Sequence, residues 1–144
     1  SSKSINLVKK GLLQFDAIND LTEKIIFDFD VRTTGPKMES GSLSGGNLQK
    51  FILGREILQE PGILIISQPT WGVDAGAALV LRKSLLELAA RGCAVLIISQ
   101  DLDEIFEICD RIAVLYQGTL SALMNKETVS IDQIGLLMGG GNGE

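Results

Sequence analysis

No histidine occurs anywhere in the sequence. The side chain that most often serves as general base and metal ligand near neutral pH is therefore missing. Cysteine is scarce as well. Cys93 and Cys109 are the only two, both in apolar surroundings, and they read as free buried thiols of a reducing compartment. No apolar run reaches the roughly 20 residues that a membrane-spanning helix requires, and no signal peptide is recognisable. A positive balance is lacking too. The formal net charge of −5 argues against a broad nucleic-acid or anionic-membrane surface, though a local basic patch stays open. What is present suffices for a core: 144 residues, 45% hydrophobic and 22% charged, is single-domain length and too apolar for disorder.

Hydrophobic spacing divides the chain into elements. Between Ile5 and Phe29, apolar residues at Leu12, Leu13, Ala17, Leu21, Ile25 and Ile26 predict mostly helix, with a break near Gly11. Residues 28–42 read as a loop punctuated by Gly35 and Pro36. A helix is predicted over 44–59, stopped by Glu60-Pro61-Gly62. The continuous β-branched runs ILIIS (63–67) and AVLIIS (94–99) predict buried parallel strands. Helices are predicted over 77–91, ending at Gly92, then over 102–110 and 130–138. Residues 111–122 read as strand, turn at Gly118 and return strand. Alternating strands and helices imply an α/β layer with a parallel sheet. Three buried strands look like one side of a larger sheet, and no strand precedes the N-terminal helical segment. The expectation is therefore a fragment, or the second half of a domain. There is no internal repeat.

The stretch SGSLSGGNLQKF (40–51) carries the first chemical signal. Leu43-Ser44-Gly45-Gly46-Asn47 stands at a predicted helix start, where unpaired N–H groups carry partial positive charge. Glycine lets an anion approach that backbone, and Ser44 adds a hydroxyl. An ordinary Ser/Gly helix cap is the competing reading.

Context separates the two. LSGGNLQK (43–50) is followed in order by ILIISQPT (63–70), WGVD (71–74) and IISQD (97–101). With these motifs the sequence resembles the ATP-binding cassette family from about Ile5 to Gly139. In that likeness LSGGNLQK is the signature motif, ILIISQPT the Walker B strand, WGVD the D-loop and IISQD the switch. FDVRT, PTWGVDAGA and DLDEIFEICDRIAVL bring it nearest the second cassette of tandem ATPases that energise sugar or nucleoside import.

The resemblance implies a fold: α/β, a partial P-loop NTPase core of parallel strands flanked by helices. Residues 1–42 would be part of the helical subdomain, 43–123 the signature helix and C-terminal half of the core, and 124–144 a C-terminal helix and tail. It implies ATP and Mg2+ in the full assembly, with no cofactor for the isolated chain and no metal held by its residues. The implied partners are a second cassette, a membrane permease and, through it, a substrate-binding protein. The implied place is peripheral, at the cytoplasmic membrane face. Leu43, Ser44, Gly45, Gly46, Asn47 and Gln49 would serve the ATP held by the partner cassette, and Asp74 would help position that site.

Departures from the family pattern fall together. No G-x-x-x-x-G-K-[ST] loop exists in the chain. Ser67 takes the Walker B carboxylate's place, and a neutral hydroxyl is a poor ligand for a hard cation. Gln68 takes the catalytic glutamate's place. An amide can orient water but cannot accept its proton, and losing a general base costs about 10²–10⁴ in rate. Gln100 takes the switch histidine's place. The chain's own hydrolytic half-site is thus expected to be degenerate, while its signature stays usable.

Trp71, where the family often has arginine, reads as a loop-packing aromatic. Asp101, Asp103, Glu104 and Glu107 read as a solvated helix start rather than a metal cluster. Lys9 and Lys10 read as surface charges. Two alternatives remain: a cassette of a soluble, non-transport ATPase, and a non-catalytic interaction module without nucleotide.

Overall fold

The computed structural model describes residues 7–141. Residues 1–6 and 142–144, which the sequence reading gave to the start of the first segment and to the tail, lie outside the described residues. The chain forms two compact units, Ser1–Ile98 and Ser99–Glu144.

The first unit opens with a hairpin rather than a helix. Strands β1 (Val8–Lys9) and β2 (Leu12–Leu13) pair antiparallel. Lys10 and Gly11 between them both take positive φ, 52° and 80°. Two consecutive positive-φ residues make the tight turn that joins twisted strands. Leu12 and Leu13 therefore leave the expected helical face. Helix α1 runs Phe15–Asp28 and buries Leu21 and Ile25, one turn apart.

Helix α2 (Gly45–Leu58) buries Lys50, Leu53, Gly54 and Ile57, a stripe of helical period. Gly54 is where α1 comes close. A Cβ there would lie 2.6 Å from a Phe29 ring carbon and 3.0 Å from an Ile25 methyl. Strand β3 (Ile63–Ser67), helix α3 (Ala75–Ala90) and strand β4 (Ala94–Ile98) follow. Helix α3 buries Ala77, Leu81, Leu85 and Leu88. Gly92 ends the turn after it at φ 96°, a conformation that glycine reaches without Cβ strain.

β3 and β4 pair in parallel, from Ile63 opposite Ala94 to Ser67 opposite Ile98. The expectation that both strands are buried needs correction. Leu64 is buried, but Ile63, Ile65, Leu96 and Ile98 are exposed at 71, 65, 54 and 53%. In a parallel pair, partnered residues share a face, so these four make one open apolar face. The packed helices cover only the other.

In the second unit, α4 (Leu102–Ile108) starts at Asp101, whose carboxylate accepts from the Glu104 N–H at 3.0 Å. Glu104 itself is buried, not solvated as its cluster suggested. Strand β5 (Arg111–Ile112) does not join β3 and β4 as a third parallel strand. It pairs antiparallel with β8 (Met124–Asn125). β6 (Leu115–Tyr116) and β7 (Thr119–Leu120) form a hairpin turned at Gln117-Gly118, as the sequence predicts. Helix α5 (Ile131–Met138) begins with a complete capping box between Ser130 and Gln133. Ile112, Val114 and Ile134 form this unit's core. Both cysteines are free thiols, and burial raises the Cys109 pKa, helped by the nearby charges of Asp110 and Glu104. Among the described residues, no helix is long and apolar enough to cross a membrane.

Candidate functional site

The start of α2 and the loop after β3 enclose an open cleft of about 600 Å³, lined by Arg32, Ser44–Asn47, Gln49, Lys50 and Trp71–Asp74. All of these residues belong to the first unit.

Ser44 is the N-cap of α2, with extended backbone, and its side chain makes no capping bond to a backbone N–H. The first helical N–H groups have no carbonyl one turn back to bond. Gly45 and Gly46, which line the cleft, place no side chain beside them. Gly45 is open: an added Cβ would meet nothing within 4 Å. Gly46 is not, because an added Cβ would lie 2.7 Å from the Gly72 carbonyl oxygen. The two glycines therefore answer to different demands, access at Gly45 and backbone packing against the loop at Gly46.

Side-chain amides fasten this helix start to its surroundings. Asn47 Oδ1 accepts from the Arg32 N–H at 2.9 Å, and Asn47 Nδ2 donates to Ser44 Oγ at 2.9 Å. Gln49 Nε2 donates to the carbonyls of Gln68 and Pro69, both at 3.2 Å. Leu43, half-buried, leads in from a single 3₁₀ turn at Ser40–Ser42. Lys50, only 3% exposed, donates from Nζ to the Asp30 carbonyl at 2.8 Å and stands 3.5 Å from its carboxylate. The sequence reading passed over Lys50. Its signal was there, a lysine within the α2 apolar stripe that can be buried only with a partner.

The loop after β3 is tightly wound. Gln68 takes φ 52°, costly for a residue with a Cβ. Its N–H donates to the Ile98 carbonyl at 2.8 Å, and its own carbonyl accepts from the Trp71 N–H at 3.1 Å. That turn pushes Trp71 outward. It is 74% exposed on the cleft wall, so the loop-packing role expected of it does not hold. Asp74 caps α3 by accepting from the Ala77 N–H at 2.9 Å. This bond lowers its pKa, and the positive charges of Lys50 and Arg32 add to the effect.

The structure thus brings together Leu43, Ser44, Gly45, Gly46, Asn47, Gln49, Gln68 and Asp74. Ser67 ends β3, exposed, opposite Ile98. Gln100 belongs to the second unit, just before α4. The chemistry available at the cleft is anion binding by backbone N–H groups, a hydroxyl and nearby cations. A hard divalent cation does not fit the end of β3, where Ser67 and Gln68 offer a hydroxyl and an amide but no carboxylate.

No protein-family model matches the chain. It is 44% identical over 134 residues, 93% of its length, to the nucleoside import ATP-binding protein NupA of Lactococcus lactis subsp. cremoris. It is 38% identical over 126 residues, 88% of its length, to the galactose/methyl galactoside import ATP-binding protein MglA of Escherichia coli. Its fold matches that of a solved ATP-binding subunit of an ABC transporter with a TM-score of 0.73, at 20% identity, over 90% of this chain and 57% of that one. The chain belongs to the ATP-binding cassette family. It spans 26% of the length of NupA and 25% of that of MglA.

Proposed function

We propose that this stretch of cassette works in the ATP-binding, energising component of an importer for simple sugars or nucleosides. It supplies Ser44, Gly45 and Gly46 to an ATP held by a partner cassette. Its own hydrolytic positions, Ser67, Gln68 and Gln100, are degenerate, so the two composite sites of the pair are unequal. The assembly works with a membrane permease and a substrate-binding protein at the cytoplasmic membrane face, and uses Mg2+ held by other residues than these. The division into part of the helical subdomain with a loop (1–42), signature helix and C-terminal half of the core (43–123) and C-terminal helix with tail (124–144) belongs to the same proposal.

One observation carries this reading: the uncapped start of α2, open at Gly45 and braced against the D-loop at Gly46. Electrostatic stabilisation of phosphate charge by such donors is the main contribution that a phosphoryl-transfer site asks of a protein. The sugar and nucleoside classes come from the relatives' names.

Gly45→Asp tests it. The added Cβ meets no atom within 4 Å, and a carboxylate in the first turn favours the helix. The fold should keep its melting temperature. ATP turnover by the assembled pair should fall about 10²-fold or more, because a negative group now stands where phosphate would bind. Unchanged turnover would overturn the proposal. The isolated 144-residue chain should show no Mg2+-dependent turnover, and a turnover sensitive to Gln68→Ala would contradict the degenerate half-site.

A further inference from the structure

We infer that Asn47 is a positioning residue that aims the Ser44 hydroxyl into the cleft. This rests on the reading of Ser44 as a phosphate-binding group.

The argument starts from an amide whose orientation is fixed. A backbone N–H can only donate, so the Asn47 atom facing the Arg32 N–H at 2.9 Å must be the carbonyl oxygen Oδ1. The NH₂ group is then the one 2.9 Å from Ser44 Oγ. An amide nitrogen only donates, so Ser44 Oγ accepts there, and its own proton must go elsewhere.

That has two consequences. An N-cap serine ordinarily turns its oxygen back onto the N–H two or three residues ahead. Ser44 does not, since its side chain makes no capping bond. Asn47 holds the oxygen out of that arrangement, which leaves the helix-start N–H groups available. Because the lone pair towards Asn47 is filled, the Ser44 O–H is left to donate outward, to a group that only accepts. A phosphate oxygen is such a group. Both polar ends of Asn47 are engaged within the chain, one with Arg32 and one with Ser44. Its influence on a bound phosphate runs through the Ser44 oxygen.

The test is a double-mutant cycle in the full-length subunit assembled with its partner cassette, read as ATP turnover at saturating and subsaturating ATP, with thermal unfolding followed in parallel. Ser44→Ala alone should impair turnover. Asn47→Ala should lower turnover about tenfold when Ser44 is present, and less than about twofold in the Ser44→Ala background. The thermal shift caused by Asn47→Ala, through the lost Arg32 contact, should be the same in both backgrounds. Asn47→Asp guards against a folding failure. It keeps the acceptor for the Arg32 N–H but can only accept from Ser44, which turns the hydroxyl proton inward. It should fold and still lose turnover. Equal losses for Asn47→Ala in both backgrounds, or parental turnover in a folded Asn47→Asp protein, would overturn the inference and leave the reading of Ser44 standing. Normal turnover in Ser44→Ala would overturn both.

Discussion

A Cβ added at Gly46 would sit 2.7 Å from the Gly72 carbonyl oxygen, whereas one added at Gly45 would meet open space. The atom in the way at Gly46 is backbone, which cannot rotate aside. Gly46→Ala should therefore push the loop at Gly72 off the α2 start and destabilise the first unit by about 1–3 kcal/mol. Denaturant unfolding of Gly46→Ala beside Gly45→Ala should show the cost at the first position only. Asp74 gives a pH prediction at the same scale. Its folded pKa lies below the ordinary 3.8, chiefly through the Ala77 N–H bond. The stabilisation from its charged form is therefore complete above that value. It is lost as pH falls through the lower folded value. Asn caps as well as Asp but does not titrate, so Asp74→Asn should flatten the acid limb of a melting temperature versus pH curve below about pH 4. Unchanged acid sensitivity would show that Asp74 contributes nothing to it. The helix start at Ser44-Gly45 was legible, because a serine and glycines ahead of an apolar-periodic run mark a helix N-terminus. Lys50 carried a signal, a lysine inside the α2 apolar stripe, but its partner Asp30 is 20 residues away; the outward Trp71 was not legible, since the pitch of its turn depends on the positive φ of Gln68.

Helices α1 and α2 meet at Gly54, and here two effects of opposite sign compete. Alanine is favoured over glycine in a helix interior by about 1 kcal/mol. The added methyl, however, would lie 2.6 and 2.9 Å from ring carbons of Phe29, whose side chain is buried. Overpacking of this kind costs about 1–3 kcal/mol. The clash should win, and Gly54→Ala should lower the urea midpoint of the first unit. A raised midpoint would mean that the Phe29 ring can move away. Element type was readable wherever periodicity ran long. α2, α3 and α5 fall where spacing, caps and Gly92 put them. The N-terminal hairpin was not readable, because its two-residue strands are too short to show alternation. Leu12 and Leu13 fit a helical stripe that the Lys10-Gly11 turn takes away from them.

At the scale of the whole chain, the parallel pair of β3 and β4 shows one packed and one open face. Sequence could not distinguish this, since both faces of ILIIS and AVLII are apolar and a run without alternation reads as buried twice over. The two faces should respond differently to substitution. Leu64 is buried at 7% exposure, and Leu64→Ala should cost about 2–5 kcal/mol through lost burial and the cavity left behind. Ile65, its neighbour in sequence, is 65% exposed. Ile65→Thr keeps a β-branched side chain suited to a strand and should change stability by no more than about 0.5 kcal/mol. Contiguous exposed apolar surface of this kind also favours self-association, and a two-stranded sheet leaves both strand edges open to pairing. The isolated chain should therefore associate with rising concentration. Ile65→Thr combined with Leu96→Thr should shift that association to higher concentration with little change in the unfolding midpoint, as read by sedimentation and denaturant titration together. Equal destabilisation by Leu64→Ala and Ile65→Thr would mean that both faces of the sheet are covered, and the open face described here would be wrong.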